Sequence, residues 1–440
     1  MLFTKPSKVI GVDVGTHSVK AVQMVRRGGR LFVEVAGYAL LDRDQVNVDP
    51  VEAHAEAMRE AMRQMAVSQS FVVGALPGQT VVIRYQRLPD VPRDQLAQAV
   101  ETEAGQNIPY DLSEVFLDWT ILDEIAEGDT KQLKALLVAA KHEVIESRVQ
   151  IATAADVQFG ALSVDSLAVA DAAEACDMLH VGETVALVNL GASSASIHFV
   201  KDGVSNFIRD VSWGARELIQ AIAKSRRCDY DEAEKQLRLA IDKAGQHQEE
   251  ATVEAAPVEE ESSGLDNLPD DFGDSLLDPL GDEEMGGGSS SGGAGGGGGS
   301  LLDPLDDELG DLGGPAPKPM DASVGDFGMG GTPGQGADMS EVLSLPISRL
   351  VAEVRRSLDY YEHQLYEHPV NRIILSGGVA HLPWLRDALL DEIEVDSVEV
   401  ADPAVGGLSL GDEYSVGALL QHPAQFMVAV GLAARGVAEL

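Results

Sequence analysis

Cysteine is nearly absent: Cys176 and Cys228 are the only two in 440 residues, far apart and in no CxxC or Cys/His cluster. That excludes a disulfide framework and argues against a structural zinc site, and it fits a reducing cytoplasm. Positive charge is scarce as well. The chain has 32 Lys and Arg against 72 Asp and Glu, a formal net charge of −40. A general positive field for nucleic acid or anionic lipid is thereby excluded, and no nucleic-acid partner is expected. No apolar run approaches the length of a membrane span. The opening MLFTKPSKVIG has no apolar h-region, so it is not expected to be a secretory signal. Together these features predict a cytoplasmic protein with no direct membrane insertion. Apolar residues, at 45% of the chain, are plentiful enough for two or more domains and a large core.

Much of the acidity sits in one place. From about Gln246 to Asp338 the chain turns rich in Gly, Asp, Glu, Ser and Pro, and includes "GGGSSSGGAGGGGGS" from Gly286. Between Gln246 and Met339 there are 22 acidic residues and one Lys, a net of −21, which leaves −19 for the remainder. Such a composition buries too little apolar area to offset its ordering entropy, so residues 246–340 read as a disordered insert. Within it "SLLDPL" occurs at Ser275–Leu280 and again at Ser300–Leu305. The repeat is either duplication within low complexity or a pair of docking motifs. The blocks on either side, up to about Ala244 and from about Leu343, are each incomplete alone, which places the insert inside a domain.

The stretch Val9 to Met24, "VIGVDVGTHSVKAVQM", is an apolar strand with one carboxylate, a Gly-Thr-His-Ser turn, and renewed alternation. Two readings stand side by side. Asp13 caps its own turn through local backbone hydrogen bonds, or the turn offers backbone N–H groups to a phosphate while Asp13 sits near a metal or its waters. A later stretch repeats the pattern: Val12 to Lys20 is "VDVGTHSVK" and Val188 to Ser196 is "VNLGASSAS". Each continues through a second turn into a third strand, "RRGGRLFVEVAGYAL" and "VKDGVSNFIRDV". Two three-stranded units with equivalent turns imply a duplicated architecture gripping one ligand from opposite sides. A third Gly turn follows a buried-type strand in "NRIILSGGVAHLPWL", where paired glycines let backbone approach a ligand closely.

In this order the motifs resemble the actin-like ATPase superfamily, which also holds FtsA, sugar kinases and heat-shock chaperones. The two hairpins look like its two phosphate motifs, "ILSGGVAHLPWL" like its adenosine motif, and "SVDSLAVADAA" like its first connecting helix. The block "VVGALPGQTVVIRYQRLPDVPRDQLAQAVETEAGQNIPYDLSEVFLDWTIL" narrows the resemblance to the PilM family of type IV pilus assembly, through its ALPG, RLP, E-x-E-A and IPY. Matching stretches such as "LLVAAKHEVIESRV", "FIRDVSWGARELIQAIA" and "VAEVRRSLDYYEHQ" cover nearly all the chain outside the acidic insert.

The resemblance implies an α/β, bilobed actin-like (ribonuclease H-like) ATPase fold with a duplicated βββαβα core. A small α+β subdomain is inserted in the first lobe and the acidic insert lies in the second. The expected boundaries are 1–180 for the first lobe (inserted subdomain about 79–157), 181–245 and 341–424 for the second, and 425–440 for a C-terminal helix returning to the first. ATP with Mg²⁺ is the implied cofactor. The implied partners are the N-terminal cytoplasmic tail of PilN, the inner-membrane PilN/PilO complex and the cytoplasmic pilus motor ATPases, with a homo-oligomer or ring as a further expectation. Such a protein would lie peripherally at the inner membrane.

On this resemblance Asp13 and Asp165 are the candidate catalytic residues, with Asp13 contacting the metal through water. Candidate nucleotide contacts are Gly15, Thr16, His17, Ser18 and Lys20 in the first hairpin, and Asn189, Gly191, Ala192 and Ser193 in the second. Gly377 and Gly378 follow in the third Gly turn, and Glu234, Lys235 and Arg238 on a helix in "YDEAEKQLR". The residues alone leave alternatives open: Lys20 and the "YDEAEKQLR" charges as solvated faces, Asp165 as a helix N-cap. Active superfamily members usually carry Asp at the position of Asn189, and Ala192 replaces another common polar residue. Asn lacks the charge that helps hold Mg²⁺ and place water, so nucleotide binding with at most slow hydrolysis is expected.

Two helices are expected outside the hairpins. One spans Asp94 to Ile108 with Leu96, Val100 and Ala104 on one stripe. The other spans Leu350 to Glu367 with Val351, Val354, Leu358, Tyr361 and Leu365. The resemblance puts the groove for the PilN tail between the inserted subdomain and the first lobe. Two other functions fit the fold. An FtsA-like filament protein of division would carry a C-terminal amphipathic membrane helix, whereas "FMVAVGLAARGVAEL" is expected to end flush with the fold. A small-molecule kinase would need a carboxylate base facing a sugar-sized pocket, and no distinctive substrate motif is visible.

Overall fold

The computed structural model describes residues 8–67, 70–127, 130–254, 338–365, 367 and 369–439. Both SLLDPL repeats lie outside the described residues.

The chain opens with β1 (Lys8–Val14), β2 (Ser18–Arg27) and β3 (Arg30–Leu40), an antiparallel meander. Then come α1 (Arg43–Val48), α2 (Pro50–Met65) and β4 (Phe71–Leu76). An insertion of β5 (Val81–Pro89), α3 (Arg93–Asn107), β6 (Val115–Glu127) and β7 (Thr130–Lys141) follows, then α4 (His142–Ala154), β8 (Phe159–Val164) and α5 (Asp165–Ala175). The second lobe has β9 (Thr184–Leu190), β10 (Ala195–Lys201), β11 (Val204–Val211), α6 (Ala215–Arg226) and α7 (Tyr230–Glu254). It continues with α8 (Met339–Asp359), β12 (Arg372–Gly377), α9 (Pro383–Glu392) and β13 (Ser397–Val400). The chain closes with β14 (Ser409–Leu410), α10 (Glu413–Gln421) and α11 (Met427–Glu439).

The duplication is explicit in the sheets. The first runs β14-β3-β2-β1-β4-β8 and the second β11-β10-β9-β12-β13. Apart from β14, the two orders are the same: a meander, then two parallel strands added beside its first strand. β1 is a continuous apolar run because both its faces are covered. Val9 packs in one cluster with α5 and α11, while Ile10 and Val12 pack in another with α2. The second sheet is likewise double-faced. Val188, Leu190, Ile197 and Phe199 face α6, α8 and α9, and Val185, Leu187 and Ile374 join the cluster that holds α5 and α11. One apolar cluster is therefore continuous from lobe to lobe, with α5 and α11 at its centre.

The inserted subdomain is a three-stranded sheet, β5-β7-β6, covered on one face by α3. In α3 Val100 and Ala104 are buried and Leu96 is partly buried, as the stripe predicts.

Four boundaries differ from expectation. The subdomain ends at Lys141, because Ile151, Ala152 and Ala155 of α4 and its end pack into the first lobe's own core with Ile10 and Met58. The chain returns to the first lobe before residue 425. Strand β14 pairs with β3 and α10 packs beside it, a two-residue strand among glycines that has no periodic signal. Helix α7 runs to Glu254 rather than stopping before Gln246, since "QHQEEATVE" is made largely of residues that a helix tolerates well. Helix α8 begins earlier, at Met339 behind the N-cap Asp338, and ends at Asp359. A π-helical turn over Tyr360–Gln364 follows, and Leu365 is exposed rather than on the buried stripe. Among the described residues no single helix is long and apolar enough to cross a membrane. Helix α11 owes its apolar character to burial at the centre of the fold.

Candidate functional site

The two hairpins close in the same way. Gly15 N–H donates to the Ser18 carbonyl at 3.1 Å, and Gly191 N–H donates to the Ser194 carbonyl at 2.9 Å. Asp13 pairs across to Lys20 and Asn189 to Ser196, so each turn holds its polar residue at the same register. The turns meet: Thr16 Oγ1 and Ser193 Oγ are 3.2 Å apart. The backbone N–H groups of Thr16, His17, Ala192 and Ser193 make no hydrogen bond among the described residues. Four unpartnered donors at two facing turns are an anion cradle by composition.

Charge is arranged around them. Lys20 Nζ donates to Asp13 Oδ2 at 3.0 Å, both largely buried. Arg148, on α4, donates to the Val14 carbonyl at 3.0 Å. Asp165 begins α5, and its Oδ1 accepts from Gly78 N–H at 2.8 Å and Ser166 N–H at 2.7 Å. Burial, with the Asp210 carboxylate as the next cause, pushes the Asp165 carboxyl up to about 7. Burial likewise raises Asp210, on β11, to about 6. Both carboxyls lie against Gly78: a Cβ on that glycine would stand 2.7 Å from either Asp210 oxygen. Asn189 Oδ1 accepts from Ser376 Oγ at 3.2 Å.

The third turn packs on the second hairpin. Gly377 has φ +95°, and a Cβ there would overlap the Leu190 carbonyl, so only glycine fits. Gly378 N–H donates to that carbonyl at 3.1 Å, and its own Cβ direction is open space. From α7, Glu234 reaches across to the first lobe. His17 Nε2 is 3.5 Å and Arg43 3.0 Å from its carboxylate, with Arg238 at 3.5 Å from within α7. Arg43 also pairs with Asp231 and lies over the Tyr230 ring. Burial lowers His17 despite Glu234. Lys235 is exposed on α7, apart from these contacts.

Of the sequence-predicted residues, the structure thus brings together Asp13, Gly15, Thr16, His17, Ser18 and Lys20 with Gly191, Ala192 and Ser193. Asn189, Gly377 and Gly378 join them through the second hairpin, Asp165 through Gly78, and Glu234 and Arg238 through His17. The donor set fits a phosphate-bearing ligand. Among the described residues no group of three or more metal-ligating side chains gathers, and the cleft's carboxyls are Asp13 on the first hairpin and the Asp165–Asp210 pair at Gly78. A cavity of about 690 Å³ lies elsewhere, beside Arg30, Asp171, Gly406 and Arg435.

A family model described as "Type IV pilus assembly protein PilM" matches residues 11–244 and 335–437. The chain belongs to the PilM family. It is similar to a solved structure named "PilM-PilN type IV pilus biogenesis complex", with 19% identity, 98% of each chain covered and a TM-score of 0.66. That likeness shows the bilobed actin-like fold. It also resembles the ethanolamine utilization protein EutJ from Carboxydothermus hydrogenoformans, at 11% identity, coverage of 98% and 90%, and a TM-score of 0.45. A third is component A of the Acidaminococcus fermentans (R)-2-hydroxyglutaryl-CoA dehydratase, at 9% identity, 98% coverage of both chains and a TM-score of 0.41.

In this PilM-family chain the sequence reading missed Asp210, Gly78, Gln79 and Arg148. Asp210 sits in a strand, Val204–Val211, that also carries Ser205, Asn206 and Arg209, so its carboxylate does not stand out in the sequence as that of Asp13 does. Gln79 Nε2 donates to Ser194 Oγ at 3.1 Å, which puts the ALPG loop at the cleft, a contact with no mark in sequence spacing.

Proposed function

We propose that this PilM-family chain is a nucleotide-binding adaptor of the type IV pilus machinery. It holds Mg-ATP between its two hairpins and the N-terminal cytoplasmic tail of PilN between the inserted subdomain and the first lobe. The observation that carries the nucleotide half is the pair of matched turns with unpartnered N–H groups, backed by the Lys20 ammonium. A bound nucleotide would supply the anhydride and its metal. The chain's own part is to bind and orient. The turn N–H groups and Lys20 take up negative charge, and Asp13 accepts hydrogen bonds from metal-bound water. Asp165 stands ready to take a proton near neutral pH. Asn189 contributes a neutral acceptor only.

The PilN half is supported by the solved PilM–PilN complex with this fold and by Phe116, an aromatic 60% exposed on the sheet face opposite α3. The acidic chain suits a tail containing Arg. Through that tail the protein would sit at the inner membrane beside PilN and PilO and face the motor ATPases.

Capture of a synthetic peptide from the PilN N-terminus, followed by fluorescence anisotropy, tests the reading. Phe116→Glu should weaken capture tenfold or more, because an exposed aromatic anchor carries a large share of such an interface. Equal capture by a folded Phe116→Glu protein would move the peptide off this face. Equilibrium dialysis with ATP and Mg²⁺ tests the cleft.

A further inference from the structure

The inserted subdomain is rooted in the first lobe, through β4 on one side and α4 on the other, yet its polar side chains reach into the second lobe. On β5, Tyr85 OH lies 2.6 Å from Ser205 Oγ, at the start of β11. Ser205 Oγ lies 2.7 Å from His198 Nε2, and His198 Nδ1 lies 3.0 Å from the Ser166 carbonyl, on α5. A carbonyl only accepts, so Nδ1 carries the imidazole proton and donates to Ser166. Nε2 is then the acceptor, taking the Ser205 hydroxyl proton, and the Ser205 oxygen is left to accept from Tyr85. Burial keeps His198 neutral, as this order requires. Beside this chain Lys134, on β7, donates to Asn206 Oδ1, while Asn206 Nδ2 donates to Tyr361 OH at 2.8 Å. At the subdomain's root, Gln79 holds Ser194.

These contacts grip both ends of the β10–β11 hairpin, whose β10 follows directly from the second phosphate-type turn. Thr16 and Ser193 are in hydrogen-bond contact, so a phosphate enters between the turns only if the lobes part. Parting the lobes carries Ser194, Ser205 and Asn206 away from Gln79, Tyr85 and Lys134.

We propose that the inserted subdomain is a clasp: Tyr85–Ser205 and Lys134–Asn206 hold the second lobe shut against the first, so opening the cleft and releasing the subdomain are one event. Any partner that seizes the subdomain then changes the cleft's affinity for its ligand, and the ligand changes the partner's affinity by the same factor. The clasp itself is independent of what the cleft binds; its coupling to a nucleotide rests on the reading given above.

Tyr85→Phe removes one hydroxyl and keeps the ring, and Ser205→Ala cuts the same chain at its middle. In full-length protein without ligand, hydrogen exchange of the β5 and β7 amides should rise severalfold in each variant, with β9 and β12 unchanged. The double variant should exchange no faster than Ser205→Ala alone. Unchanged β5 and β7, or a uniform rise that includes β9, overturns the clasp. The same proteins are then titrated with the non-hydrolysable analogue AMP-PNP and Mg²⁺. Loss of one neutral hydrogen bond resisting opening should tighten binding roughly two- to tenfold. Wild-type affinity in both variants overturns the coupling. If no protein binds AMP-PNP, the nucleotide reading has failed, and the exchange result alone decides the clasp.

Discussion

Asn189 stands in the second hairpin where Asp13 stands in the first, and the difference of one charge bears on turnover. Its Oδ1 already accepts from Ser376, so an Asp there would keep that bond and add a carboxylate. A charge-assisted contact is worth on the order of 1.5–3 kcal/mol against about 0.5–1.5 for a neutral one, a difference of about 1–1.5 kcal/mol, or roughly five- to tenfold in rate if it acts at the transition state. Wild-type protein should hydrolyse Mg-ATP very slowly, and Asn189→Asp should be faster by that factor with similar ATP affinity, as single-turnover assays would read. The carboxyls that are present behave unusually. Asp165 and Asp210 hold protons up to about 7 and about 6 in the fold, against 3.8 for an ordinary Asp. The folded chain therefore binds more protons than the unfolded one from about pH 4 to pH 7. Stability contributed by these groups falls as pH rises through that window and stays low above it. Asp210→Asn removes one such group and the like charge beside Asp165. At pH 8 it should stabilise the protein by about 1–3 kcal/mol, with little effect at pH 4.5. Urea titrations at both values check this, and equal gains at both would mean that the charge is not the cause.

At the scale of elements, what the sequence showed depended on whether a local period existed. The two meanders were legible because Gly15 and Gly191 close identical turns between alternating strands, and each strand shows its own pattern. Helix α3 was legible through Val100 and Ala104. The return of β14 to the first sheet was not, since two residues make no period. Nor were the contacts of Tyr85 and Lys134 with the second lobe, because polar pairs distant in sequence leave no spacing behind. Asp210 was not legible either, since it shares its strand with Ser205, Asn206 and Arg209 and only the fold sets it against Gly78. Packing of α11 shows a conflict between local and tertiary preference. Gly431 sits inside this helix, where Ala would be favoured by about 1 kcal/mol on propensity alone. A Cβ there would overlap the Ala168 carbonyl of α5. Overpacking against backbone costs about 1–3 kcal/mol or more, so the tertiary effect wins. Gly431→Ala should lower the melting temperature, and a rise would show that α5 and α11 have room to separate.

The whole molecule carries its charge unevenly, and this separates what folds the chain from what surrounds it. Residues 246–339 hold −21 of the −40, while the apolar clusters that join α7 to α8 lie in the described residues on either side. Leu237 of α7 and Val342 and Leu343 of α8 share one core, so the ends of the long connection are fixed by packing rather than by the connection. Loop-closure entropy changes by only about 0.6 kcal/mol per doubling of length. Replacing residues 255–337 with a Gly/Ser linker, keeping Asp338 as the cap of α8 through its bond to Met339 N–H, should leave the melting temperature nearly unchanged at physiological salt. At low salt a second effect enters. Self-repulsion of a strongly acidic chain is screened less there, and the excised protein has shed the 18 acidic residues and one Lys of 255–337, −17 of the −40. The excised protein should therefore melt higher than wild type in 10 mM salt, with the difference vanishing towards 0.5 M. A large loss of stability at every salt concentration would instead mean that the replaced segment takes part in the fold.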